Sequence, residues 1–111
     1  MHAPINVRQS LARMDGDRKT FDGLASMFID RSVQMIEKIR HTVAQRDGDA
    51  VYQATHSLLG SLATFYAAPV IATAEALQGD AKSSQWSQAD RRLVQLESEM
   101  AQVVESLRHE V

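Results

Sequence analysis

The stretch Asp47-Gly48-Asp49-Ala50-Val51-Tyr52-Gln53-Ala54-Thr55-His56-Ser57-Leu58-Leu59-Gly60-Ser61-Leu62-Ala63-Thr64-Phe65 opens on turn residues and then places Val51, Ala54, Leu58, Leu62 and Phe65 at intervals of three and four. That period belongs to a helix, and an aspartate ahead of it supplies the N-cap. At 100° per residue, Ala54, Leu58, Leu62 and Phe65 fall within about 60° of Val51, whereas His56 lies about 140° away and Gly60 about 180° away. His56 therefore points away from the apolar stripe, with Gly60 one turn further along the same face. Glycine inside a helix costs about 1 kcal/mol relative to alanine. Here it leaves bare backbone beside an exposed imidazole, so that another protein surface can approach the ring closely.

The helix lies in a longer run, Ala50 to Ala74, without a single Asp, Glu, Lys or Arg, where an average share of charge would place about six. A membrane span is rejected, because Gln53, Thr55, His56, Ser57, Ser61, Thr64 and Pro69 interrupt the run and a span needs about twenty predominantly apolar residues. The N-terminus shows no apolar core of a signal peptide, which makes the cytoplasm the expected compartment. The 111 residues are 44% hydrophobic, enough for one domain with one ordinary core. There is no cysteine, hence no disulfide scaffold. Twelve Lys+Arg against fourteen Asp+Glu give a net charge of −2 with the signs interspersed. Without a basic stripe, neither nucleic acid nor an anionic membrane is an expected partner.

The rest of the chain is helical by the same criterion. A short helix over about 6–14 carries Val7 and Leu11 and is broken by Asp15-Gly16-Asp17. A long one over about 18–46 repeats Phe21, Leu24, Ala25, Phe28, Met35, Ile36, Ile39 and Val43, with Asp30, Gln34, Lys38 and His41 on the far side. The His56 helix spans about 49–66. Pro69 then opens a helix over about 69–83 with Val70, Ala74 and Leu77 inward. Ser87 and Asp90, at capping-box spacing, start the last one over about 88–109, whose seam is Leu93, Leu96, Met100, Val103 and Leu107. Trp86 is expected to pack against the bundle end. The predicted fold is all-α, an antiparallel up-and-down four-helix bundle with a short additional N-terminal helix, the whole chain 1–111 forming a single domain.

The string Ala54-Thr55-His56-Ser57-Leu58-Leu59-Gly60-Ser61 resembles the His-x-Leu-Lys-Gly-Ser signature of histidine-containing phosphotransfer (HPt) domains, the phosphocarriers of two-component phosphorelays. Phe28-Ile29-Asp30 in a long helix and the Asp47-Gly48-Asp49 turn resemble the family's second helix and connection, and Gln78 stands 22 residues after His56, where several members carry a glutamine that bonds the imidazole. The similarity runs from about Val7 to Leu107. The resemblance implies that His56 is the phosphoryl acceptor, supported by Gln78, Gly60 and Ser61. Leu11, Met14, Phe21, Leu24, Tyr52, Ser57 and Ala63 then form a docking patch, although Phe21 and Leu24 fit a core role equally well. The implied partners are receiver domains and a hybrid sensor histidine kinase, with the protein itself a monomer.

An imidazole nitrogen is a competent nucleophile toward an aspartyl phosphate, and phosphoryl transfer otherwise needs positioning and charge neutralisation. This chain has no glycine-rich phosphate loop, and His2, His41, His56 and His109 show no pairing at three or four residues that suits a metal. No metal or other cofactor is therefore expected in it, and the resemblance assigns Mg²⁺ and the aspartate to the receiver. Leu59 departs from the family, which usually has lysine there. Lys82, one turn beyond Gln78 if that helix continues, is the candidate replacement charge. Two other readings stay open. A degenerate HPt-like module would bind a receiver without efficient transfer, as Leu59 suggests, and a histidine-kinase dimerisation domain would display its histidine on only two helices per chain. In neither HPt reading does the protein have autokinase activity of its own.

Overall fold

The computed structural model describes residues 3–111; His2 lies outside them. Its first three helices begin where a side chain can take over the free amides of a first turn. Asn6 caps α1 (Val7–Arg13) by accepting from the Gln9 amide, Asp17 caps α2 (Arg18–Ala44) through Thr20, and Asp47 caps α3 (Gly48–Thr64) through Ala50. Helices α4 (Ala68–Lys82) and α5 (Trp86–Glu110) start without a side-chain cap. No strand occurs among the described residues.

The ends of α1 to α4 share one design. Asp15, Arg46, Tyr66 and Ser84 adopt left-handed backbone with φ of 51 to 55°. The next N–H reaches back to a carbonyl five residues earlier: Gly16 to Leu11, Asp47 to Thr42, Ala67 to Leu62, Gln85 to Asp80. These are Schellman turns, and they reverse the chain within three or four residues. Consecutive helices therefore run antiparallel. Helix α2 packs on α3 and α5, α3 on α4, and α4 on α5, so that four helices close a ring. The N-terminal segment is clipped to the α3–α4 link, with Ile5 buried, the Asn6 amide donating to the Phe65 carbonyl (3.0 Å) and the Ser10 hydroxyl to the Thr64 carbonyl (2.7 Å).

The seam predicted for α5 is buried from Leu93 to Leu107, as are Val51, Ala54, Leu58, Leu62 and Phe65 from α3 and Val70, Ala74 and Leu77 from α4. Phe65 receives Phe21 and Phe28 edge-on, with centroids 5.8 and 5.6 Å away. Phe21 is thus fully buried and leaves the docking patch for the core. Leu24, on the neighbouring face of α2, is exposed, and Met35 and Ile36 are half-buried at the core's edge. Buried Ser32, Thr42 and Thr55 return their hydroxyls to carbonyls three or four residues back, which satisfies them inside an apolar setting.

Two start signals differ from expectation. Helix α5 begins at Trp86, so Ser87 lies within its first turn and forms no capping box with Asp90. Asp90 instead receives both terminal nitrogens of Arg46, at 2.7 and 3.0 Å, and the same guanidinium lies 5.6 Å from the Trp86 ring centroid. Pro69 is the second residue of α4, after Ala68. Helix limits depart from the expected ones by at most two residues.

Candidate functional site

Asp47 and Gly48 set the position of α3 against α4. A Cβ on Gly48 would stand 3.2 Å from the Ala81 carbonyl oxygen, so the two helices approach backbone to backbone at this end. From there the buried stripe of α3 turns inward, and the opposite side carries Tyr52, Gln53, His56, Ser57, Gly60 and Ala63, all exposed. His56 sits midway along this outward face. A Cβ added to Gly60 would meet nothing within 4 Å, so no helix of the chain packs on it. The glycine is not a helix–helix contact, and the space beside the imidazole is open.

Four residues before His56, Tyr52 lies under the imidazole. The two rings are stacked, with centroids 5.7 Å apart and planes 15° from parallel. The Tyr52 carbonyl accepts a long hydrogen bond, 3.5 Å, from Nε2 of Gln78 on α4. Gln78 thus stands against α3 in this structure, with its amide one turn short of His56. Helix α4 does continue through Gly79 and Asp80 to Lys82. Lys82 is exposed and lines a hollow of about 860 Å³ together with Asp49, Tyr52, Glu75, Gln78 and Trp86. His56 is not part of that lining. Leu59, at the position of the family's lysine, is half-buried and packs against the core, so its side chain supplies apolar contact only.

Ser61 faces the other way, toward α2. It lines a shallow groove of about 180 Å³ with Leu24, Met27, Phe28, Arg31 and Met35. Leu11 and Met14 are half-buried against the core, Ser57 is exposed next to His56 in the chain, and Ala63 is exposed two turns further along α3. Phe21 lies in the core with Leu11, Met14 and Leu59 packed against it, and the structure divides the other residues singled out from sequence into three sets. Tyr52, His56, Ser57, Gly60 and Ala63 share one face, Gln78 and Lys82 border it from α4, and Leu24 and Ser61 belong to the α2–α3 groove. The stack of Tyr52 on His56 went unnoticed in the sequence, although two aromatic rings four residues apart on one helix face carry the signal for it.

Ion pairs lie at the ends and the back of the bundle. Arg46 holds the Asp90 carboxyl below the usual carboxylate range, and Asp80, nearly buried, pairs with Arg92 at 3.1 Å. Among the described residues, no group of His, Asp and Glu is placed to hold a metal ion, and no helix is long and apolar enough to cross a membrane.

Comparison with known proteins agrees with this geometry. The family model described as Hpt domain matches residues 23–106. Comparison with curated protein sequences returns no match. Among solved structures, the chain is similar to the crystal structure of histidine-containing phosphotransfer protein B (HptB) from Pseudomonas aeruginosa PAO1, with a TM-score of 0.87 at 17% identity over 99% of this chain and 96% of that one. At that identity the likeness establishes the fold.

Proposed function

The chain belongs to the Hpt domain family, and from that premise we propose that His56 accepts a phosphoryl group from the aspartyl phosphate of one receiver domain and passes it to another. Membership makes it a phosphotransfer protein of phosphorelays, a carrier rather than a conventional enzyme. The observation that carries the finer reading is the exposed imidazole midway along a helix face, with open space over Gly60 beside it. A receiver can bring its aspartyl phosphate against that face without meeting a charge on α3 between Ala50 and Thr64.

In the transfer, a ring nitrogen directs its in-plane lone pair at phosphorus. The N–P bond forms as the P–O bond to the aspartate breaks, the carboxylate leaves with that electron pair, and the proton on the other ring nitrogen passes to solvent. The reverse sequence on a second receiver completes the relay. The receiver contributes the aspartate and Mg²⁺, which neutralises charge on the moving group. Lys82 adds a cation from the α4 side in place of the lysine that Leu59 displaces, and Gln78 steadies the helix at Tyr52. The cytoplasm, where such receivers act, is the compartment proposed for it.

Incubation with a phosphorylated receiver and Mg²⁺ tests this. Wild type is expected to gain an acid-labile phosphate that His56→Gln lacks, and Lys82→Ala to slow the gain or shorten the lifetime of the phosphorylated form. If neither wild type nor variant is labelled, the transfer reading falls, and a module that binds receivers without transfer takes its place; Leu59 favours that second reading. Four helices closing one bundle within a single chain support a monomer over a two-helix dimerisation domain, and a sizing column checks the mass.

A further inference from the structure

We infer that Tyr52 is a positioning residue for phosphoryl transfer, holding the His56 imidazole edge-outward by stacking against one of its faces. The inference rests on His56 being the phosphoryl acceptor. An exposed histidine on a helix samples several rotamers, and only some direct a nitrogen lone pair at an incoming phosphorus. Here the ring lies parallel to a phenol ring four residues earlier, 5.7 Å between centroids and 15° between planes, within the range of offset-stacked aromatic pairs. A nitrogen lone pair lies in the ring plane. A parallel neighbour therefore covers a face of the imidazole and leaves the reacting edge free.

Tyr52 sits on the same helix face one turn before His56; its backbone carbonyl accepts from Gln78 on α4, and its half-exposed ring borders the hollow that Lys82 also lines. The consequence is an imidazole whose orientation is set before any receiver arrives, so the ordering cost is met in the free protein rather than during transfer. The side-chain hydrogen bonds that reach Tyr52, from Thr55 and Gln78, end on its backbone carbonyl, and the effect is assigned to the ring. Phenylalanine should therefore replace tyrosine, and an aliphatic residue should not.

The test compares wild type, Tyr52→Phe and Tyr52→Leu with two phosphodonors, phosphoramidate and a phosphorylated receiver, with His56→Gln as the blank. Phosphoramidate is too small to use a docking surface; its P–N bond breaks as the His56 N–P bond forms, and the amine leaves as ammonia with a proton from solvent. Tyr52→Leu is expected to slow labelling by phosphoramidate, and the single-turnover transfer rate at saturating receiver, by about three- to tenfold, with the half-saturating receiver concentration unchanged and the upfield ring-current shift of the His56 ring protons lost. Tyr52→Phe should stay within about twofold of wild type on every readout. A Tyr52→Leu protein that raises only the half-saturating receiver concentration and reacts normally with phosphoramidate would make Tyr52 a docking contact and overturn the inference. Equal rates in all three proteins would overturn it too. Failure of wild type to take phosphate from the receiver while phosphoramidate labels it would instead count against the relay reading, and the phosphoramidate rates would still decide the role of Tyr52.

Discussion

Gly60 places stability and function in opposition at a single position. Its backbone is helical and its surroundings are empty, so a methyl group there meets no obstacle within the protein. Gly60→Ala is expected to raise stability by about 1 kcal/mol, the difference between glycine and alanine inside a helix. The same methyl stands one turn from His56, where a receiver must approach, and transfer from a phosphorylated receiver should slow several-fold. A thermal melt beside a transfer time course checks both directions in one preparation; a variant more stable and equally fast would show that the receiver does not come close at this point. At this scale the sequence was legible where an angle decides, as for His56 and Gly60. It was not legible where two faces of one helix are both apolar. Phe21 and Leu24 are three residues apart, and spacing alone does not say that Phe21 meets Phe65 while Leu24 faces solvent.

Among the elements, the turns hold the reserves of stability. Ser84 occupies the left-handed end position of α4 with φ of 55°, a conformation costly for any residue with a Cβ and free for glycine. Ser84→Gly should stabilise the protein by about 0.5–1 kcal/mol after the larger entropy of the unfolded glycine is subtracted, seen as a rise of a few degrees in Tm. The helix starts make stability depend on acid. Thr20, through its hydroxyl and then its amide, holds the Asp17 carboxyl below its ordinary value, and Arg46 does the same for Asp90. Both carboxyls bind protons more weakly folded than unfolded. Their contribution is complete above the unfolded carboxylate value near pH 4 and is lost as the pH falls through the lower folded values. The urea midpoint is expected to drop on titration from about pH 5 to pH 2, and less steeply in Asp17→Asn, whose amide oxygen still caps. The Asp90 pairing also bears on the missing capping box at the start of α5. Ser87 and Asp90 have capping-box spacing, but Arg46, 44 residues away, claims the carboxylate, and a local pattern carries no trace of so distant a partner.

At the scale of the whole molecule, the core converges on Phe65, the residue that ends α3 and the only one joined edge-on to two other phenylalanines among the described residues. Phe65→Ala should cost about 3–5 kcal/mol, read from urea unfolding at pH 7, because it empties space shared by α2 and the α3–α4 link. The architecture itself was legible, since periodic apolar runs joined by three- and four-residue turns leave little but an antiparallel bundle. What the runs did not disclose was the buried hydroxyls, such as Thr55, which satisfy themselves within their own helix. The outward face of α3 has a consequence for signalling. His56 is exposed, and a Cβ on Gly60, one turn further along the same face, would meet nothing within 4 Å. A phosphoryl group added on that outward face is expected to leave the packing of the bundle as it is. The message then resides in a covalent bond carried on an unchanged shape, so phosphorylated protein should show amide shift changes confined to α3 and the facing turn of α4, with hydrogen exchange elsewhere as slow as before. Such a carrier has no conformational memory, and its signal ends when the N–P bond is broken.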